Sequence, residues 1–143
     1  MTTLNTKSIA ELEQLELTEP SPTASPLAKR LYQLMNRPLT GLSIADWRAL
    51  IIQDIGLDFL MVPALELIEK DPLLETEHFR GDLLASLLGV NAGFFLAHPD
   101  LASRLEAVIS HLPAALDRLD SINFDTSSEA LEEAIEAFRH PKR

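Results

Sequence analysis

The chain has 143 residues, 46% of them hydrophobic, so it can bury the core of one compact domain and is too apolar for a disordered protein. It contains no cysteine, which excludes disulfide bonds and thiolate zinc sites. Its net charge of −10 argues against direct binding to nucleic acid or to anionic membranes, because both carry negative charge.

The N-terminus has neither the basic start nor the apolar run of a secretory signal. No apolar stretch approaches the ~18 residues that are needed to span a bilayer. We therefore expect a cytoplasmic protein, and the absence of cysteine agrees with a reducing compartment.

The beginning of the chain has the pattern of a separate segment. Ser8 and Glu11 have the spacing of a capping box and predict a short helix. Residues 17–26 hold three of the nine prolines, which predicts an extended linker. We therefore expect a short helix and linker over residues 1–24, followed by a helical domain over residues 25–143.

Caps and helix breakers divide the rest of the chain into helices. Ser25, Ser43 and Asn91 are placed as N-caps of segments with helical spacing. Pro63 predicts a kink or a restart inside a strongly apolar helix. No segment shows the alternation of β-branched residues that is typical of a strand. The pattern predicts an all-α fold, a single-domain irregular or orthogonal bundle of about six to eight helices.

The tripeptide Arg80-Gly81-Asp82 has the sequence of a cell-adhesion signal, but it also fits the start of a helix. Four leucines at helical spacing follow it. Gly81 permits a sharp turn, and Asp82 is placed to accept hydrogen bonds from the free N–H groups of the first helical turn. We interpret the tripeptide as a helix start.

The four histidines, at positions 78, 98, 111 and 140, have no partner at a metal-binding spacing such as H-x-x-x-H. We expect His98 to precede a helix and His111 to be partly buried near a helix end. Glycine-rich phosphate loops and a nucleophile elbow are also absent from the sequence. We therefore expect no metal, no cofactor and no enzymatic activity.

The strongest concentration of charge lies in residues 117–136, which hold seven acidic residues and one basic residue. The acidic residues are Asp117, Asp120, Asp125, Glu129, Glu132, Glu133 and Glu136. At 100° per residue the four glutamates share one arc of about 100° on the last helix, opposite its apolar face. This arc is either a solvated surface or a docking surface for a basic protein. A second acidic group surrounds the middle of the chain: Glu66, Glu69, Asp71, Glu75 and Glu77.

Four short motifs follow one another over residues 39–88: Gln-x-Ile-Gly-Leu, Pro-Ala-Leu, Asp-Pro-Leu and Gly-Asp-Leu-Leu. Phe94-Phe95 and His98-Pro99 come next in the same order. This combination resembles the immunity proteins of bacterial contact-dependent growth inhibition systems, over about residues 25–110. The last helix lies outside the resemblance.

The resemblance implies a non-enzymatic immunity protein that binds and neutralises the C-terminal toxin domain of a large exported effector, as a monomer in a 1:1 complex. Toxins of such systems are often nucleases, whose basic sites an acidic partner would suit. The residues that match the family motifs are explained by their roles in the fold. We therefore expect the toxin contacts among acidic residues outside those motifs, namely the four glutamates of the last helix, with Asp117, Asp120 and Asp125 in support. The alternatives are an acidic adaptor or anti-repressor that binds a basic DNA-binding protein, and a small helical enzyme using Glu and His.

Overall fold

The computed structural model describes residues 7–112 and 125–140, without the side chains of residues 125–130. This part of the chain forms eight α-helices and no β-strand, which confirms the all-α prediction of about six to eight helices. The chain divides into two compact units, which meet in the sequence between Leu50 and Ile51.

The helices are α1 (Ile9–Leu12), α2 (Pro26–Met35), α3 (Ile44–Ile52), α4 (Leu57–Lys70), α5 (Asp82–Leu88), α6 (Ala92–Ala97), α7 (Pro99–Ser110) and α8 (Asp125–Arg139). A single 3₁₀ turn, Leu39–Gly41, lies between α2 and α3.

The first unit contains the predicted capping box at its N-terminal end. The Ser8 hydroxyl accepts the Glu11 N–H at 3.1 Å, and the Glu11 carboxylate accepts the Ser8 N–H at 2.9 Å. Helix α1 is only one turn long, but Ile9 is fully buried, and the Lys7 carbonyl accepts the Leu39 N–H at 3.0 Å. Residues 7–12 therefore pack into the first unit, while the predicted domain boundary at residue 25 stays a prediction.

Asp46 in the first turn of α3 also serves the fold of this unit. Its carboxylate accepts the Ser43 N–H at 3.0 Å, and the Ser43 hydroxyl accepts the Asp46 N–H at 3.1 Å. Arg30 and Arg37 lie 3.4 and 3.6 Å from the same carboxylate. Partial burial raises the pKa of Asp46, but the hydrogen bonds from Ser43 and Arg30 outweigh it and lower the pKa below its ordinary value.

The second unit has a core of leucines centred on α4 and α5. Helix α5 packs against α4 and α8, and α7 packs against α4 and α6. Helix α4 runs from Leu57 to Lys70 without interruption, so the restart predicted at Pro63 does not occur. The fully buried side chains of α4, α5 and α7 are Leu60, Met61, Ala64, Leu65 and Ile68 of α4, Asp82, Leu83, Leu84 and Leu87 of α5, and Leu105 of α7.

Candidate functional site

The Arg80-Gly81-Asp82 corner starts α5, as predicted, but Asp82 does so in an unexpected way. Its side chain is fully buried. One carboxylate oxygen accepts the Thr76 N–H at 2.8 Å. The other accepts the Thr76 hydroxyl at 2.8 Å and the N–H groups of Glu77 at 3.1 Å and of His78 at 2.9 Å. The prediction that Asp82 caps the first turn of α5 is therefore wrong, because its acceptors hold the preceding loop instead.

These hydrogen bonds fix the charge of Asp82. Burial raises the pKa of its carboxyl group, but the N–H groups of His78, Glu77 and Thr76 outweigh burial and lower the pKa below its ordinary value. Asp82 is therefore an ionised group at neutral pH whose acceptors face the protein interior. A receptor cannot reach this carboxylate, so the helix-start interpretation of the tripeptide is confirmed.

Gly81 connects this corner to the last helix. Its φ of +84° lies in the left-handed region that favours glycine. A Cβ atom added there would lie 3.2 Å from Leu131 Cδ2 of α8 and 3.6 Å from Leu73 Cδ2. The Gly81 N–H is donated to the carbonyls of Leu73 and Leu74. The backbone of the corner therefore forms part of the surface against which α8 packs.

Helix α8 presents part of the predicted acidic arc to solvent. Leu131 is 3% exposed against the core, whereas the side chains of Glu132, Glu133 and Glu136 are exposed. Asp125 begins the helix and Glu129 follows one turn later, but their side chains are outside the described part. The remaining two predicted contacts, Asp117 and Asp120, lie outside the described residues altogether.

The positive groups at the end of α8 leave most of this arc uncompensated. The guanidinium of Arg139 donates two hydrogen bonds to Glu106 of α7, at 3.0 and 3.2 Å. His140 lies 3.9 Å from Glu136, and only its protonated form would carry charge. Glu132 and Glu133 form no ion pair with any residue whose side chain is described. The two bonds from Arg139 hold α8 on α7 rather than neutralising the arc.

The second acidic group is divided between structural and exposed carboxylates. Arg104 of α7 donates to both carboxylate oxygens of Glu69, at 2.7 and 2.9 Å, and these bonds lower the pKa of Glu69. Asp71 accepts the Leu73 N–H at 3.3 Å at the end of α4. Glu66, Glu75 and Glu77 are exposed. This group is therefore a weaker candidate than α8 for a continuous docking surface.

The histidines take structural positions. His98 precedes Pro99 at the start of α7, as predicted, and its ring stacks on Phe94 with a centroid distance of 4.2 Å. His111 ends α7 and is exposed, so the prediction of partial burial is wrong. Its Nδ1 lies 2.7 Å from the Ala107 carbonyl. Among the described side chains, those of residues 7–112 and 131–140, no group of three His, Asp or Glu residues could hold a metal ion.

An apolar groove with a volume of about 810 Å³ lies beside α8, and it was not among the sites predicted from the sequence. The rings of Phe95 on α6 and Phe138 on α8 contact each other edge to face inside it, with centroids 5.2 Å apart. Leu96, which also lines the groove, is 83% exposed. The other lining residues are Leu88, Gly89, Val90, Asn91, Ala92, Pro99, Ala102 and Ala137. None of the lining residues is charged. The sequence signal that could have revealed it is Leu96, an apolar residue that follows two aromatic residues in a helix of only six.

Comparison with known families identifies the class of protein. The family model of the CDI immunity proteins, where CDI is contact-dependent growth inhibition, matches residues 11–105. Since this is more than half of the chain, the chain belongs to the family of CDI immunity proteins. No match was found among curated proteins or among solved structures. In the described part of the chain, no helix is long and apolar enough to cross a membrane.

The matched region divides the site in two. It contains the Gly81-Asp82 corner and α6, but it ends before α8 begins. The groove therefore has one wall inside the family match and another, formed by Ala137 and Phe138, beyond it.

Proposed function

We propose that this chain is a cytoplasmic immunity protein that binds the C-terminal toxin domain of a large exported effector and blocks the toxin without catalysis. The match of residues 11–105 to the CDI immunity proteins carries this proposal. The complex contains one copy of each partner. The toxin is a basic protein, a nuclease in the simplest case, because a chain with a net charge of −10 complements a nucleic-acid-binding surface.

We assign the toxin contacts to the acidic surface of α8 and of the residues before it. Glu132, Glu133 and Glu136 are exposed, and Glu132 and Glu136 are one helical turn apart. Like charges at this spacing repel each other, and a basic partner relieves the repulsion. We include Glu129 and Asp125 because they lie on the same helix. Asp117 and Asp120 complete the proposed surface.

The position of these acids relative to the family match supports the assignment. Immunity proteins of one family must keep their fold while recognising different toxins, so residues that hold the fold make poor specificity contacts. Asp46 and Asp82, which lie within the match, are both engaged in hydrogen bonds of the fold. The carboxylates of α8 lie outside the match, so they can differ between family members that recognise different toxins.

The test is binding of the full chain to the C-terminal fragment of a large exported protein encoded immediately upstream, measured at several salt concentrations. We expect tight 1:1 binding that inhibits the toxin and weakens as salt rises, because the contacts are between opposite charges. Absence of binding would contradict the immunity function. Tight binding with no salt dependence would keep the function and remove the acidic surface from the interface.

A further inference from the structure

The groove beside α8 has the form of a binding site whose walls are already in place. Asn91 caps α6 by accepting the Phe94 N–H at 2.8 Å, and Asp54 accepts the Asn91 N–H at 3.4 Å. On the opposite side, the Arg139–Glu106 pair ties α8 to α7. Because these contacts position the helices that form the walls, the walls need little rearrangement when a partner binds, which favours affinity.

The chemistry of the groove separates an apolar floor from an acidic surround. The lining residues carry no charge, and the edge-to-face pair of Phe95 and Phe138 lies among them. Two exposed carboxylates lie next to lining residues in sequence: Asp100 follows Pro99, and Glu136 precedes Ala137. Glu133 lies one turn before Ala137 on the same helix and is also exposed. Arg139, which follows the lining residue Phe138, is paired with Glu106, so the unpaired charge next to the groove is negative and suits an apolar group that has positive charge beside it.

We infer that this groove receives an apolar side-chain cluster of the toxin domain, flanked by lysine or arginine, and that it supplies the central contact of the complex. The inference rests on the proposed function and deepens it by naming the chemistry of the bound segment. Binding energy in protein interfaces concentrates in a few apolar or aromatic contacts surrounded by a polar rim. In this inference Leu96 and the aromatic pair are the centre, and the exposed carboxylates of Asp100, Glu133 and Glu136 are assigned to the rim.

Charge decides between this occupant and a second copy of the same chain. Two copies meeting at this groove would bring their acidic rims together and would each carry a net charge of −10. Repulsion between like charges at an interface opposes such a contact, whereas a basic toxin domain gains from it. The wall on α8 lies outside the family match, so its residues can change between family members while the wall within the match stays the same. Such a groove could be adapted to different toxins.

The test compares Leu96→Ser with Val62→Ser in the full chain, against the same C-terminal toxin fragment. Both side chains are exposed, at 83% and 40%, so neither substitution is expected to unfold the protein, and only Leu96 lines the groove. We expect Leu96→Ser to weaken binding roughly tenfold or more, with the salt dependence kept, and Val62→Ser to change it less than about twofold. Ala137→Glu, which adds a carboxylate to the exposed wall on α8, is expected to weaken binding to a similar extent.

The outcomes separate the inference from the proposed function. If the unaltered chain binds the fragment and both Leu96→Ser and Ala137→Glu bind equally well, the groove inference is wrong and the immunity function stands. If the unaltered chain does not bind the fragment, both are wrong. Sedimentation of the free chain provides the remaining check: a dimer that Leu96→Ser dissociates would assign the groove to a second copy and overturn the inference.

Discussion

Asp82 and the carboxylates of α8 belong to the same compact unit but have opposite surroundings. Asp82 is fully buried and accepts hydrogen bonds from three backbone N–H groups and one hydroxyl. Glu132, Glu133 and Glu136 are exposed. Of these three, Glu136 has an ion-pair partner among the described side chains, His140 at 3.9 Å. Asp82 lies within the family match and α8 lies outside it.

The difference shows how a carboxylate can be assigned to the fold or to a partner. The acceptors of a buried carboxylate must be satisfied by donors of the protein itself, so substituting it lowers the stability of the fold. An exposed group is satisfied by water and can exchange that water for a partner. Substituting carboxylates of each kind tests this distinction.

Asp82→Asn should lower the free energy of unfolding by about 2–4 kcal/mol at neutral pH. The amide keeps one acceptor for the Thr76 N–H, but its NH₂ group then faces the donors of Glu77 and His78. Urea denaturation followed by circular dichroism measures the difference. A variant as stable as the parent chain would show that the corner does not depend on this carboxylate.

The same variant should show a defined pH dependence. Because the folded-state pKa of Asp82 lies below its ordinary value of 3.8, the stabilisation is fully present above that value and is lost as the pH falls through the folded-state pKa. The difference in unfolding free energy between the parent chain and Asp82→Asn should therefore be largest near neutral pH and shrink in acid. A difference that grew on acidification would contradict the lowered pKa.

Charge reversal on α8 should have the opposite profile, with binding changed and folding kept. We expect Glu132→Lys combined with Glu136→Lys to weaken binding of the toxin fragment by roughly 10- to 100-fold and to flatten its salt dependence. Glu13→Lys combined with Glu16→Lys is the matched control, since both side chains are exposed, lie in the first unit and change the net charge equally. An equal loss in the control would mean that net charge, rather than the α8 surface, determines affinity.

Gly81→Ala should have an intermediate effect on stability, about 1–2 kcal/mol of destabilisation. Its φ of +84° is strained for alanine, and the added Cβ would meet Leu131 at 3.2 Å. Gly89→Ala is the control, because its φ is −85° and its nearest contacts are at the ordinary distance of 3.6 Å. We expect Gly89→Ala to leave stability within about 1 kcal/mol of the parent. Thermal unfolding of the two variants side by side makes the comparison.

The local features of this fold could be predicted because their partners are close in sequence. The Ser8–Glu11 box, the Ser43 cap of α3 and the Asn91 cap of α6 each join residues three positions apart. Such pairs depend on helix geometry alone. The sharp turn predicted at Gly81 is also found, with the glycine in the left-handed conformation before α5.

The features that failed depend on tertiary structure. Asp82 was assigned to the turn that follows it, but the loop before it folds back and donates its N–H groups to the Asp82 carboxylate. The groove joins Phe95 and Phe138, which are far apart in sequence, so a local pattern could indicate the exposed Leu96 but not the contact between the two rings. For the acidic contacts, the sequence predicts a shared helix face but not whether a partner binds there. The prediction for Asp117 and Asp120 falls outside the described residues.

The smallest expected effect on stability comes from substituting Glu69, whose hydrogen bonds have good geometry but lie at the surface. Arg104 holds it with bonds of 2.7 and 2.9 Å, no longer than those at Asp82, but the two side chains are 35–36% exposed. Water replaces a lost partner at such a site, so Glu69→Gln should cost less than about 1 kcal/mol, and less still at high salt. Urea denaturation at low and high salt measures this cost. A loss as large as that of Asp82→Asn would mean that bond geometry outweighs burial, and the distinction between the corner and α8 would then have to be drawn from hydrogen bonds rather than from exposure.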